Sequence, residues 1–337
     1  MPKNTRRTAR FAFLASTAVV TALLVPAATP AQSPPTCASQ GPSGPGPSGT
    51  AYVAGVNCRT VTLDGHQRRY KVYIPASALA IGQRPPLVYM FHGGSGDGEQ
   101  FLRMSGWREL SDATGMVSVF PTAMRYRIIE NGAMSTRWNS FKLSDPLQTE
   151  IDTSVLPPGS AAGSPVPADD VGFVDHMTSD LRARLPIDRR RIYASGFSNG
   201  AAFAERLSIE RSEEIAAVAY SGGGLPDVHS PTRPVPTYRT TGTLDPNVLA
   251  NTNPLLTELP LDPVGILTNS TLDPLLDNIL ATLGLDAGDF GAVSQPHSTT
   301  LRWPPTGTAP NGAQFTFGMI GGLTHMYPKA DNSTFVV

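Results

Sequence analysis

A short glycine-bounded segment, residues 196–200, is the feature that most restricts how this chain can fold. It reads G-F-S-N-G and is centred on Ser198. The residues before it, 191–195, are typical of a short buried strand, and those after it, 201–207, are typical of a helix start. Glycines permit the sharp turn that joins such a strand directly to such a helix. The pattern predicts that Ser198 is a catalytic serine; the alternative is a structural Gly-rich turn.

A catalytic serine on such a turn needs a general base later in the chain, after an acid. His297 and His325 both come late enough. His325 follows the apolar run 315–320, and a general base has to be held on a loop at a strand end, within reach of the serine. His297 lies in a polar stretch and is interpreted as a solvated loop residue. We therefore predict that His325 is the base.

Asp245 is the candidate acid, because it follows the strand-like segment 235–240. An aspartate on that loop can orient the imidazole and stabilise its charged form. The alternative is an Asx-turn or helix cap before Pro246. Three later aspartates lie in a partly helical segment and are weaker candidates: Asp262, Asp273 and Asp277.

An oxyanion-binding loop is predicted after the apolar run 86–91, which is typical of a strand buried on both faces. The run leads into a His-Gly-Gly sequence at residues 92–94. The backbone amides of Gly93 and Gly94, with that of Asn199 after the serine, are predicted to hold the oxyanion. His92 itself is interpreted as structural. A phosphate-binding loop is disfavoured, because the G-x-x-x-x-G-K-[ST] pattern does not follow.

Five sequence blocks occur here in an order that resembles the polyhydroxybutyrate depolymerase-like esterases, a group that also contains feruloyl and acetylxylan esterases. They are YKVYIP at 70–75, PLV leading into HGG at 86–94, DDVGF at 169–173, DRRRIY at 188–193 and GFSNG at 196–200. The resemblance covers most of residues 60–245 and returns at His325. It implies a triad of Ser198, Asp245 and His325.

Two departures from that family's pattern lie near the end of the chain. The family often has Gly-Gly-His-x-Trp-Pro, whereas here two more residues precede His325 and Tyr327 replaces the tryptophan. The stretch between Asp245 and His325 is also long. Both departures bear on substrate preference more than on chemistry.

Strand-like and helix-like segments alternate through the middle of the chain, which predicts an α/β fold with a mostly parallel sheet and helices on both faces. The specific expectation is an α/β-hydrolase fold with the site at the carboxyl ends of the strands. Residues 51–337 are predicted to form the catalytic domain. Within it, 246–290 is a Leu/Pro-rich insertion before His325, whose leucines between Thr271 and Gly284 have helical spacing. This apolar stripe either packs on the domain body or forms a cap that offers apolar surface to a substrate.

The N-terminus is typical of an export signal: basic residues precede an apolar run that ends in small residues. We predict a signal peptide over 1–31, followed by a flexible Pro/Gly/Ser-rich leader over 32–50; an uncleaved anchor is the alternative. Cleavage would take the formal charge from −1 to about −5, which argues against a nucleic-acid partner. After cleavage we expect an extracellular protein without stable membrane insertion.

The chain has two cysteines, Cys37 and Cys58. In an oxidising compartment they would pair and tie the leader to the first strand; two free thiols are the alternative. The histidines are scattered and no C-x-x-C occurs, so neither a metal site nor a cofactor is predicted.

The sequence as a whole predicts a secreted serine carboxylester hydrolase that forms an acyl-enzyme. The resemblance implies poly(3-hydroxyalkanoate) or a similar aliphatic polyester as substrate. Trp138 and Tyr327 are candidate walls of the substrate cleft, with a core or loop-anchor role the alternative for Trp138. The alternative functions are a feruloyl or acetylxylan esterase, an amide-cleaving or acyl-transferring hydrolase, and a binding protein on an inactive hydrolase scaffold. The nine residues after Pro328 leave no space for a further substrate-binding module, so we expect amorphous polymer, oligomers or soluble esters.

Overall fold

The computed structural model describes residues 36–43, 50–144, 150–250, 256–305 and 313–328. The predicted signal peptide lies outside these residues. The strands are β1 Ser39–Pro42, β2 Gly55–Leu63, β3 His66–Ile74, β4 Leu87–Phe91, β5 Val117–Pro121, β6 Met124–Arg127, β7 Met134–Arg137, β8 Ile192–Phe197, β9 Ala217–Ser221, β10 Thr237–Gly242, β11 Gly291–Gln295, β12 Ser298–Trp303 and β13 Phe315–Ile320. The helices are α1 Gly98–Met104, α2 Trp107–Thr114, α3 Asp170–Arg184, α4 Asn199–Glu210, α5 Pro246–Leu249, α6 Pro263–Thr268 and α7 Leu272–Leu283. No helix within these ranges is long and apolar enough to span a membrane.

One large sheet organises the described residues. Its eleven strands have the order β1-β2-β3-β5-β4-β8-β9-β10-β13-β12-β11, and β6 pairs with β7 in a separate hairpin. The six strands from β5 to β13 in this order are parallel, and antiparallel strands flank them on both sides. All five residues of β4 are buried, because helices cover both of its faces. The prediction of a mostly parallel sheet is confirmed.

Helices lie on both faces of the sheet, as predicted. The largest apolar cluster joins α3 and α4 to one face of β4, β8 and β9. A second cluster joins α1 and α2 to the opposite face. The segment 98–114 forms two helices, α1 and α2, because Gly106 adopts a left-handed φ of 76° between them.

The leucine stripe forms α7, and Gly284 ends it with a left-handed φ of 67°. Thr271 stands at the N-terminus of α7 but makes no side-chain capping bond; the Asn269 side chain accepts from the N–H groups of Thr271 and Leu272. The buried stripe packs against apolar residues of β12 and β13: Leu301, Trp303, Phe315, Phe317 and Met319. It packs on the domain body and is therefore not available to a substrate.

Helix cover is incomplete on one side of the sheet. Alternate residues of the strands on that side, including Tyr193, Tyr238 and Thr316, line an open groove of about 1420 Å³. Ser198, which directly follows β8, is not among its lining residues. The groove is thus a separate surface from the serine site.

A disulfide links the two cysteines, Cys37 and Cys58, whose Cα atoms are 5.7 Å apart. Residues 32–50 were expected to be a flexible leader, but within them Ser39–Pro42 pairs in parallel with β2 as the strand β1. The bond joins Cys37, just before β1, to Cys58 within β2, so it holds the described part of the leader at the edge of the sheet.

Replacing both cysteines by serine is expected to lower the free energy of unfolding by about 3 kcal/mol, since the reduced chain gains the entropy of an open loop of 21 residues. Urea denaturation of the oxidised protein and the variant measures the difference. The single variant Cys37→Ser serves as the control, because it breaks the same bond and should show the same loss. Equal midpoints for all three proteins would contradict the prediction.

Candidate active site

Ser198 lies at the junction of β8 and α4, in a backbone conformation that few non-glycine residues adopt. Its φ is 53° and its ψ is −120°. The Ser198 N–H donates to Ser221 O at the end of β9, and its carbonyl accepts from Ala201 and Ala202 in the first turn of α4. Strain of this kind costs about 1–3 kcal/mol and persists only where the surroundings enforce it.

The glycines on either side of Ser198 are required by close backbone contacts. A Cβ on Gly196 would meet the Gly200 carbonyl, and a Cβ on Gly200 would meet the carbonyl oxygens of Phe91 and His92 at the end of β4. Because neither glycine has a side chain, α4 can begin directly against the sheet. The serine is thereby held at the carboxyl end of β8.

His325 connects the serine to the acid. Its Nε2 is 2.9 Å from Ser198 Oγ, and its Nδ1 is 2.9 Å from Asp245 Oδ2 and 3.1 Å from Oδ1. An ionised carboxylate can only accept, so Nδ1 carries the proton and Nε2 is free to accept from the serine hydroxyl. The structure therefore brings together the three side chains that the sequence predicts as a triad, with the geometry of a general base poised at a nucleophile.

The acid and the histidine of this triad differ in exposure, in the way that their predicted roles require. Asp245 is 1% exposed, whereas the His325 side chain is 21% exposed and can reach a substrate. The Asp245 carboxylate also accepts from Asn247 N and caps α5, so the capping alternative and the triad geometry hold together.

Contacts between the acid loop and the histidine loop keep this arrangement in place. Leu244 N donates to Leu323 O at 3.0 Å, and Gly322 N donates to Thr243 Oγ1 at 2.8 Å. Thr243 in turn donates to Glu258 Oε1 at 2.7 Å. In the sequence, the one signal for Thr243 is its position two residues before Asp245.

The glycine loop after β4 approaches the serine closely. A Cβ on Gly93 would lie 3.3 Å from Ser198 Cβ. The amides of Ser95 and Gly96 are bound by the carbonyls of Thr136 and Gly93. Among the described residues, no backbone acceptor binds the amides of Gly93 or Gly94. Gly93 thus lies beside Ser198, and Asn199 directly follows it as the first residue of α4, while oxyanion binding by the amides of Gly93, Gly94 and Asn199 stays a prediction.

His92 is buried and supports the loop, in agreement with the structural interpretation. Its Nε2 accepts from Ala123 N at 3.1 Å, so Nδ1 carries the proton and donates to Gly93 O at 2.7 Å. Desolvation by burial lowers the pKa of His92 to about 4. The imidazole is therefore neutral at physiological pH, and both of its nitrogens are used in these two backbone hydrogen bonds.

Acidification is expected to destabilise the fold through His92. In the unfolded chain the pKa of His92 is about 6.5, so between pH 6.5 and 4 the unfolded chain binds a proton that the folded chain does not bind. The free energy of unfolding that is present above pH 6.5 is therefore lost as the pH falls toward 4. By pH 5 the loss is about 2 kcal/mol relative to pH 8. Urea denaturation of wild type and His92→Asn at both pH values measures this contribution, and histidine NMR titration locates the pKa. A His92 imidazole that titrates near 6.5 would refute it.

Trp138 does not line a substrate cleft in this structure. It is fully buried, its ring stacks on Phe203 at 5.2 Å and meets Phe91 edge-on at 5.1 Å, and its Nε1 donates to His92 O. The prediction of a cleft wall is wrong, because the large ring fills the core next to the glycine loop that follows β4. The core alternative is the one observed.

The Trp138 backbone has a second role that the sequence analysis missed. Its N–H donates to Asn199 Oδ1 at 2.7 Å, and its carbonyl accepts from Asn199 Nδ2 at 3.1 Å. These two hydrogen bonds hold Asn199, the residue after the serine, against Trp138, the residue after β7. The only sequence signal for it is the asparagine in the Ser-Asn-Gly sequence at 198–200.

Tyr327 is half-buried in the loop after His325. Its hydroxyl accepts from Trp107 Nε1 at 2.8 Å, and its ring meets Phe101 at 5.0 Å. Burial raises its pKa. These contacts anchor the histidine loop on α1 and α2; a contact with substrate stays a prediction.

The competing residues have other surroundings. Asp262 caps α6 by accepting from Gly265 N, and His297 is exposed at the turn between β11 and β12. Within the described ranges, no group of three or more His, Cys, Asp and Glu side chains has the arrangement of metal ligands.

Comparison with known proteins yields related esterases. No protein-family model matches the chain. The chain is 29% identical over 196 residues to "Putative esterase NocK" of Nocardia uniformis subsp. tsuyamanensis, which covers 57% of this chain and 49% of that protein. It is 25% identical over 182 residues to the bifunctional acetylxylan esterase/xylanase XynS20E of Neocallimastix patriciarum, covering 54% of this chain and 22% of that one. The chain thus spans half or less of the length of these relatives.

A solved structure matches over most of the chain. Acetyl xylan esterase from Aspergillus awamori aligns with a TM-score of 0.50 and 14% identity, over 82% of this chain and 97% of that one. This chain has the α/β-hydrolase fold. At such low identity the likeness concerns the fold alone, so the chemistry has to be argued from the site.

Proposed function

We propose that this chain is a serine carboxylic-ester hydrolase with Ser198, His325 and Asp245 as its triad. The observation that carries the proposal is the continuous hydrogen-bonded path from Ser198 Oγ through His325 to Asp245, beside loop amides that no backbone carbonyl of the described residues binds. The names of the two relatives, both of which include an esterase, support it.

The reaction proceeds through an acyl-enzyme. Ser198 Oγ attacks the ester carbonyl carbon while His325 Nε2 takes the hydroxyl proton, and the amides of Gly93, Gly94 and Asn199 bind the oxyanion. The tetrahedral intermediate collapses, the ester C–O bond breaks, and His325 returns the proton to the leaving alkoxide. Water, deprotonated by His325, then attacks the acyl-enzyme and releases the acid and the free serine. Asp245 keeps the imidazole oriented and stabilises its charged form.

An aliphatic polyester, or its oligomers, is the proposed substrate class, with poly(3-hydroxyalkanoate) as the first choice. The order of sequence blocks that resembles the polyhydroxybutyrate depolymerase-like esterases supports this choice. Acetylxylan is the second candidate, because a relative whose name includes acetylxylan esterase aligns with more than half of the chain. Feruloyl esters belong with it as plant cell-wall esters.

Export forms part of the proposal, with residues 1–31 as the signal peptide and 51–337 as the catalytic domain. The disulfide between Cys37 and Cys58 supports an oxidising compartment, where such bonds persist. Expression with the natural N-terminus followed by mass spectrometry of the secreted protein tests the cleavage. An intact N-terminus retained in the cells would contradict it.

Substrate profiling tests the proposed function. The wild type is incubated with p-nitrophenyl esters from acetate to dodecanoate, with poly(3-hydroxybutyrate) film, with acetylxylan and with methyl ferulate, and a fluorophosphonate probe reports on the nucleophile. Film clearing with labelling of Ser198 supports the polyester reading, and acetate release from xylan without clearing supports the second candidate. A protein that neither binds the probe covalently nor cleaves any ester would be a binding protein on a hydrolase scaffold.

A further inference from the structure

An arginine side chain lies directly on the loop that is predicted to bind the oxyanion. A Cβ added to Gly94 would coincide with Nη1 of Arg137 and would lie 2.8 Å from its Cζ. The guanidinium therefore lies against Gly94, in the space where a side chain of residue 94 would begin. The proposed reaction assigns no role to this charge.

The residues on either side of Arg137 are bound to the two segments that frame the oxyanion hole. Thr136 accepts from Ser95 N at 3.0 Å, and its Oγ1 donates to Gly96 O at 2.6 Å. On the other side, Trp138 N donates to Asn199 Oδ1 at 2.7 Å. The end of β7 thus spans from the glycine loop to the residue after the serine, with Arg137 between them.

The charge of Arg137 is only partly balanced by its described neighbours. Its Nε is 3.8 Å from Glu150 Oε2, beyond hydrogen-bond distance, and the other oxygen of Glu150 is paired with Lys142. Asp97, the carboxylate of the glycine loop, is used to cap α1 through Gln100 N. The Glu150 carboxylate thus faces two cations, Arg137 and Lys142. Because the Arg137 side chain is also 27% exposed, its guanidinium can bind an anion from solution.

From this placement we infer that Arg137 forms an anion subsite beside the oxyanion hole, and that the preferred esters carry a carboxylate close to the scissile bond. The inference rests on the proposed function and names its substrate class. A guanidinium presents a planar fork of donors that matches a carboxylate, and such charge-assisted bonds are stronger than neutral ones. Hydroxy-acid oligomers with a free carboxyl end have this chemistry, whereas a neutral ester cannot use the charge.

Two matched pairs of substrates test the subsite, because the anion could lie on either side of the ester. The linear 3-hydroxybutyrate dimer is compared with its methyl ester, which places or removes a charge on the alcohol side. Mono-p-nitrophenyl adipate is compared with methyl p-nitrophenyl adipate, which does the same on the acyl side. In at least one pair the wild type is expected to favour the anion by about 10-fold or more in kcat/KM, mainly through KM. The preference should shrink as ionic strength rises.

Three variants assign the preference to Arg137. Arg137→Gln should abolish it while neutral p-nitrophenyl butyrate is still cleaved, and Arg137→Lys should retain part of it. Arg190→Gln is the matched control, since it removes the same charge from an exposed position before β8, at the amino ends of the parallel strands. This variant should leave the preference unchanged.

Two results would overturn the subsite. The first is a wild type that cleaves both members of each pair equally; the second is an Arg137→Gln variant that loses the same factor on charged and neutral esters, which would mean that Arg137 only supports the loop. The first comparison needs no variant to fold. Failure of the proposed function looks different, because then wild type would not be labelled by the fluorophosphonate and would cleave no ester.

Discussion

Replacing Ser198 by alanine is expected to lower kcat for ester hydrolysis by about 10⁶-fold, the scale on which loss of a triad serine acts in serine hydrolases. The variant lacks the oxygen that forms the acyl-enzyme, while His325, Asp245 and the loop amides stay in place. Residual hydrolysis would come from water attack on an ester bound at the oxyanion hole. The fold should be unaffected, because alanine keeps the Cβ of serine and therefore adopts the positive φ of this position at the same cost.

The measurement is the initial rate of p-nitrophenyl butyrate hydrolysis over a range of enzyme concentrations, with thermal unfolding recorded on the same samples. Ser179→Ala is the control, since Ser179 is exposed on α3 and its removal should change neither quantity. A Ser198→Ala protein that keeps more than about a hundredth of the activity would place the nucleophile elsewhere. Loss of folding in the variant would make the rate uninformative, and labelling of wild-type Ser198 by a fluorophosphonate then decides the matter.

Replacing Gly200 by alanine is expected to lower the free energy of unfolding by about 3 kcal/mol. In an open helix this change would be favourable by about 1 kcal/mol, because alanine has the higher helix propensity. Here the new methyl group would meet the carbonyl oxygens of Phe91 and His92, which belong to the backbone and cannot rotate away. Helix α4 has to move off β4, and Ser198 moves with it, so activity should fall as well.

Urea denaturation and the rate of ester cleavage measure the two effects together. Gly291→Ala provides the matched control, because Gly291 has no atoms within 4 Å of a new Cβ and no positive φ. That change is expected to alter the free energy of unfolding by less than about 0.5 kcal/mol. If Gly200→Ala were as stable as the wild type, the close packing of α4 on β4 would be refuted.

Local sequence predicted the elements that hold the serine with good accuracy. The apolar run that became β4, the strand β8 and the helix α4 were all recognisable, because each is encoded by a short pattern of burial and by the glycines between them. The loop position of His325 after β13 and of Asp245 after β10 followed from the same rule, that parallel strands place their carboxyl ends at one edge. Their catalytic roles stay predictions until the variants are made.

Features that depend on distant contacts were not recoverable in this way. The sequence predicts no strand for the hairpin of β6 and β7, yet this hairpin reaches the glycine loop after β4 through Thr136. The stripe of α7 could pack on the body or face a substrate, and its amphipathic pattern is the same in both cases. Periodicity shows that a face is apolar but not what covers it.

The amino-acid sequence by itself determined where the chain can turn sharply, which strands are buried on both faces, and the chain order of serine, acid and histidine. These properties are local, because they arise from backbone sterics and from the alternation of apolar and polar residues over a few positions. Only the tertiary structure decided that Trp138 fills the core and that Arg137 lies on Gly94, 43 positions earlier in the chain. Such placements result from how separate elements pack against one another, and no short stretch of sequence contains that information.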